Sequence, residues 1–184
     1  MSEGEEFISD FLDFENISFE SEVKVPNLVG DSKEHRRADF YLPKYKVYIE
    51  FLGLWNVDSH KERYREKKKV FKNNSIPCIY LYPENLGIIE YIFHKRLIEE
   101  LKSYKLKNEL RRYRINELLK ERSENLFFLI IGALIFAYNY PWFLEENQLW
   151  SLVGFVMMLY QFNKIKDTVK QLFKDKPIHR RFFN

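Results

Sequence analysis

The chain has 184 residues, enough for one domain of ordinary size and an appendage. Its 30 basic and 27 acidic residues leave a net charge of +3, so overall charge gives no argument for a nucleic-acid partner. One cysteine, Cys78, excludes a disulfide framework and a Cys-rich zinc site, and fits a reducing compartment.

The opening MSEGEEF is acidic and has no apolar core, so no secretory signal is expected there. Ser2 reads as an N-cap, and Glu3, Glu5 and Glu6 follow it in a first turn whose dipole favours acids. The helix is predicted to run to about Glu15 with Ile8, Phe11 and Leu12 inward. Glu5 lies on that same inward stripe. Ile17–Val25 alternates as a strand, and Pro26 to His35 is a polar loop turning at Gly30, Asp31 and Ser32.

A β-hairpin follows, with strands Arg36–Leu42 and Val47–Leu52 joined by Pro43-Lys44-Tyr45-Lys46. If those four residues close the turn, Leu42 pairs with Val47 and Asp39 falls directly across from Glu50. Two carboxylates so placed sit roughly 5 Å apart and repel each other. A divalent cation offsets that repulsion, and oxygen-only ligands suit Mg²⁺ or Mn²⁺ rather than zinc.

Trp55 to Ser59 reads as a connection, with Ser59 capping a helix from His60 to about Asn73. Tyr64, Lys67, Lys68 and Phe71 fall on one face of it. His60, at its start, is either a proton acceptor or a surface residue. Ile76–Tyr82 is short and apolar, as in a central strand buried on both faces, and Cys78 within it reads as a small core residue. Pro83 ends the strand, and Asn85 caps a helix beginning near Leu86 with Ile88, Ile89, Ile92, Leu97 and Leu101 inward. Residues 95–125 contain no Gly or Pro and carry charges of both signs, which predicts one long exposed helix, a stalk over 103–125. Its Arg111, Arg112 and Arg114 cluster is either a solvated face or an attraction to anionic lipid or DNA.

Leu126–Leu144 is uncharged over 19 residues and Leu149–Phe162 over 14, separated by the acidic loop Glu145-Glu146-Asn147-Gln148. Tyr138, Tyr140, Trp142 and Trp150 gather at the loop end, and lysines and arginines flank the outer ends. The pattern predicts a two-helix transmembrane hairpin over 126–163, with the N-terminal domain and the C-terminus facing the cytoplasm. The alternative is an apolar helical hairpin buried in a homo-oligomer. Residues 164–184 read as a basic amphipathic tail ending HRRFFN.

Asp39 on one strand and Glu50 on the next resemble the D…E-x-K core of the PD-(D/E)XK nuclease superfamily, over roughly residues 2–102. The resemblance implies an α/β, restriction-endonuclease-like αβββαβ core, a mixed sheet flanked by helices, here followed by the long helix and the membrane hairpin. It further implies Mg²⁺- or Mn²⁺-dependent hydrolysis of nucleic acid, DNA above all, with Asp39, Glu50 and Glu5 on the metal. Two positions depart from the pattern: Ala38 stands where the family usually has Pro, and Leu52 stands where it has Lys. In branches whose strand ends I-E-[FY]-x-G the lysine comes from the following helix, which makes Lys67 the first replacement and Lys68 the second. Glu5 is also read as an exposed acid serving the helix dipole, and either lysine as a phosphate contact without chemistry. An inactive nuclease fold acting as a membrane-bound adaptor for nucleic acid or protein is the alternative function, and a purely structural membrane protein is a third.

Overall fold

The computed structural model describes residues 2–26, 28–31, 33–139 and 148–174. In chain order the elements are α1 (Glu3–Phe14), β1 (Glu20–Pro26), β2 (His35–Leu42), β3 (Val47–Phe51), α2 (Asp58–Asn73), β4 (Cys78–Leu81), a 3₁₀ turn (Pro83–Ile88), α3 (Ile89–Ser103), α4 (Lys107–Asn139) and α5 (Gln148–Phe173). The described residues fall into two compact units that divide between Arg111 and Arg112.

In the first unit, α1 opens on a capping box: Ser2 Oγ accepts from the Glu5 N–H, and Glu5 Oε2 accepts from the Ser2 N–H at 2.7 Å. That cap fixes the helix rotation that buries Ile8, Phe11 and Leu12. The sheet has order β1-β2-β3-β4, antiparallel through β3 and parallel between β3 and β4. Leu42 does pair with Val47, because the loop leaves the strand ends in register. Between β3 and β4 runs α2, as a parallel pairing requires of its crossover. It packs Val70 and Phe71 into a cluster with Val25, Leu28, Ala38 and Cys78, bordered by Tyr48 and Tyr80. Strand alternation turns Ile79 and Leu81 to the opposite face, where both are fully buried, and α3 is in contact with β4. Phe11 and Phe93 meet edge to face at 5.3 Å between α1 and α3. Each such side chain contributes roughly 1.5–3 kcal/mol through burial.

Several boundaries differ from those expected. The first strand starts at Glu20, since the chain must first leave α1 through Asn16 at φ 53. The second helix begins at Asp58 with no side-chain cap, so Ser59 is inside it. Asn85 accepts from the Tyr82 N–H within the 3₁₀ turn, and α3 starts only at Ile89, leaving Ile88 exposed. The long helix expected over 95–125 breaks at Tyr104–Leu106, where Lys105 has φ 55.

The α/β fold class with a transmembrane hairpin is overturned. The described residues are mostly helical, with five α-helices and one small mixed sheet of four strands among them. No described helix is long and apolar enough to cross a membrane, so neither the spans Leu126–Leu144 and Leu149–Phe162 nor the two-pass topology with cytoplasmic termini is supported. The physical reason lies in how the apolar runs are embedded. The first is the continuation of the charged stalk, one helix with a kink at Arg122 (φ −130°, ψ 20°). The second continues into Lys164, Lys166 and Lys170, and polar side chains line it: Ser151, Gln161 and Thr168 are buried. Tyr140, Trp142, the loop residues Glu145-Glu146-Asn147 and the tail after Lys174 lie outside the described residues.

Within the second unit, Arg122 Nε donates to Thr168 Oγ1 and Asn125 Nδ2 to Gln161 Oε1, each at 2.7 Å. The two helices touch backbone to backbone at glycines. A Cβ on Gly154 would lie 2.8 Å from the Phe136 nitrogen and 2.9 Å from the Gly132 carbonyl oxygen, neither of which can swing away. Gly154→Ala is therefore expected to destabilise the chain by about 1–3 kcal/mol, read as a lower unfolding midpoint in urea. Gly87→Ala, where a Cβ meets nothing within 4 Å, is the matched control, and equal midpoints for the two variants would refute the close approach.

Candidate active site

The site lies where β2 and β3 lose their regular pairing. Their ladder runs from Leu42↔Val47 to Phe40↔Ile49 and stops. One step further, the Phe51 N–H turns to the Asp39 side chain, donating to Oδ2 at 2.6 Å. Glu50, the neighbouring residue on β3, is 4% exposed, and its strand partner on the other side is Tyr80. The hairpin register thus delivers both acids to one end of the sheet.

The cation comes from α2. Phe71 anchors that helix in the core, and Lys67, one turn earlier, lies with its ammonium 5.8 Å from the Phe71 ring centre. Lys67 Nζ donates to Glu50 Oε1 and, at 2.6 Å, to the Arg37 carbonyl of β2. Arg36 fixes the same helix to the sheet: its guanidinium is bidentate on Asp31 at 2.6 Å and reaches Glu66 at 2.7 Å. One carboxylate oxygen is left over. Glu50 Oε2 is buried and accepts no well-formed hydrogen bond.

Burial dominates the electrostatics. It lifts Asp39 from 3.8 to about 6, against the Phe51 N–H and the Lys67 charge, with Glu5 and Glu22 adding to the rise. It lifts Glu50 from 4.5 to about 7, helped by the Asp39 charge and opposed by Lys67. Two adjacent carboxylates raised into the neutral range form a constellation more common at reactive sites than in structural ion pairs.

The other candidates are distributed differently. Glu5 acts on Asp39 through its charge but spends Oε2 on the Ser2 cap. Among the described residues no group of three His, Cys, Asp or Glu side chains is placed to hold a metal ion, so Glu5 does not complete a three-carboxylate set. Leu52, at the position of the family lysine, is 1% exposed in the core and leaves no room for a cation there. His60 packs beside Tyr64 at 6.3 Å between ring centres. Lys68 turns away from both acids. Its ammonium lies 4.7 Å from the Trp55 ring centre, 4.6 Å from Tyr80 and 4.9 Å from Tyr82, and it donates to the Tyr82 hydroxyl. These three aromatics were not expected at the site; the Tyr-x-Tyr spacing at 80 and 82 and a Trp just after β3 were the available signals.

A cavity of about 800 Å³ lined by Asp58, Lys61, Glu62, Arg65, Glu66 and Lys69 runs along the outer face of α2 and does not include the acidic pair. Its lining is charged in both signs and exposed, so the buried carboxylates are the better candidate for chemistry. Comparisons with protein-family models, curated proteins and solved structures find no match to the chain.

The raised carboxyls make stability depend on pH. The folded protein holds protons that the unfolded chain releases, so this contribution is full below about pH 4 and is lost as pH rises through about 6 and about 7. Asp39→Asn keeps an acceptor for the Phe51 N–H and removes the charge. Its melting temperature in EDTA is expected to exceed that of the parent at pH 8 and to match it near pH 4; a lower value at pH 8 would contradict a repulsive pair.

Proposed function

We propose that the chain is a metal-dependent phosphodiesterase of the PD-(D/E)XK type that hydrolyses nucleic acid, DNA in the first instance. The observation that carries this reading is the buried Asp39–Glu50 pair with one orphaned oxygen, Glu50 Oε2, and one cation, Lys67, set against it. The donor set fits Mg²⁺ or Mn²⁺: hard carboxylate oxygens, no thiolate, no imidazole. Asp39 and Glu50 would hold the ion, and Glu5 would bear on it only through its field. When bound, the ion supplies Lewis acidity to the phosphate and to the attacking water.

The chain's own residues do the rest. Lys67, part-buried and tied to the Arg37 carbonyl, presents an ammonium whose position does not need to reorganise as negative charge grows on phosphate oxygens. Phe51 holds Asp39 through Oδ2 alone. Ionisation of both acids is required before a cation can be held, which sets activity to rise with pH through the range where Glu50 titrates. The adaptor reading is favoured by one observation: Lys67 already neutralises Glu50, so the pair stands without an ion.

Full-length protein incubated with supercoiled plasmid in Mg²⁺ or Mn²⁺ is expected to cleave it, more quickly at pH 8 than at pH 6. Asp39→Ala and Glu50→Ala are expected to abolish cleavage, and Lys67→Ala to slow it by about 100-fold, the scale of one preorganised charge donor. No cleavage by a folded parent protein whose melting temperature ignores the metal would sink the enzyme and leave the adaptor.

A further inference from the structure

Lys68 occupies a position that the chemistry at Asp39 and Glu50 does not use. Three aromatic faces surround its ammonium at 4.6 to 4.9 Å, which is the arrangement proteins use to hold a cation. Its hydrogen bond goes to the neutral Tyr82 hydroxyl, and no described carboxylate pairs with it. An ammonium carries three N–H donors, and the phenol takes one. The cage is itself braced. Trp55 meets Tyr82 edge to face at 5.4 Å; Arg96 lies over the Tyr82 ring at 5.5 Å and donates to the Tyr80 carbonyl and, at 2.9 Å, to Asn85 Oδ1.

The placement matters as much as the cage. Tyr80 is the strand partner of Glu50, so Lys68 stands over the strand next to the acidic pair. Lys67 and Lys68, adjacent in sequence, diverge by about 100° around α2. One is paired with an acid, and the other is held by ring faces and the Tyr82 hydroxyl. A half-buried cation with no described counter-ion attracts an anion more strongly than a fully solvated surface lysine does.

We propose that Lys68, held by Trp55, Tyr80 and Tyr82, is a phosphate-binding residue for a nucleic-acid strand passing the Asp39–Glu50 pair, contacting a phosphate adjacent to the one cleaved. The assignment of the anion to nucleic acid rests on the phosphodiesterase reading; the anion site itself rests on the cage. Lys68 is a positioning residue. It aligns the strand and takes no part in the reaction.

The test is binding without catalysis. Full-length protein in EDTA is titrated into a fluorescein-labelled single-stranded 12-mer and its duplex, over a series of salt concentrations, with inorganic phosphate as competitor. Lys68→Met, which fills the cage without charge, is expected to weaken oligonucleotide binding by about tenfold, one charged hydrogen bond. It is also expected to flatten the log K against log salt slope by about one phosphate. Lys68→Arg restores the slope, and Lys68→Met melts within a few degrees of the parent. Equal affinity and slope for parent and Lys68→Met, or no binding by the parent, would overturn the proposal. So would a loss of affinity that leaves the slope unchanged and tracks a fall in melting temperature, because that is a structural brace alone. Phosphate competing as well as the oligonucleotide, with no dependence on Lys68, overturns it too. If Lys68-dependent binding stands while plasmid cleavage fails, the phosphodiesterase reading falls and the strand site remains.

Discussion

The first unit is built around a repulsion. Asp39 and Glu50 are largely withdrawn from water on neighbouring strands, a placement that costs stability unless opposite charge or protons are supplied. The surrounding structure supplies both. Phe51 gives Asp39 a backbone hydrogen bond in place of a ladder bond, and Lys67 gives Glu50 a cation. Burial still outweighs these partners, and the pKa of both acids stays raised, that of Glu50 with help from the Asp39 charge. A domain held together only for stability gains nothing by keeping this pair, since apolar residues of like volume serve a buried position at least as well.

Lys67 reaches Glu50 because the packing of α2 permits no other rotation. Phe71 and Val70 set the helix against Ala38 and Cys78, and the Arg36 bridge to Asp31 and Glu66 pins it from the strand side. Rotating α2 by one residue would bury Lys68 where Lys67 is and expose Phe71. The core contacts therefore select which lysine meets the acids. Similarly, Gly4 brings the start of α1 against the Phe51 ring, where a Cβ would sit 2.3 Å from it, and this close approach is what lets the Glu5 charge be felt at Asp39.

The sequence made the hairpin legible because two independent signals agreed there: period-2 alternation and a turn whose length admits one register. It ranked Lys67 ahead of Lys68 by the spacing to Phe71, but gave Lys68 no separate role, since that depends on which strand faces which side of the helix. Glu5 carried two signatures, a first-turn acid serving the helix dipole and a place on the inward stripe, and the structure adds a hydrogen bond from the Ser2 N–H to its carboxylate. The cage was hidden because Trp55, Tyr80 and Tyr82 come from a loop and a strand end 25 residues apart in sequence, brought together only by the parallel β3–β4 pairing. The membrane hairpin was misread for a different reason. A hydropathy run counts uncharged residues, whereas what a helix can cross depends on its continuous apolar length, and here polar side chains such as Ser151, Gln161 and Asn125 face into the helix pair.

The two lysines also show why charge counts fail for such a site. Summed over the chain the balance is nearly even, yet a single turn of α2 directs one cation into an acidic pair and its neighbour into a box of aromatic faces. The first has part of its field offset by Glu50 within hydrogen-bond distance. The second keeps its field, since ring quadrupoles stabilise a cation without cancelling its charge. Protonation of Glu50 near neutrality shifts that balance again: it releases Lys67 from its counter-ion, so the positive field at this end of the sheet grows as pH falls.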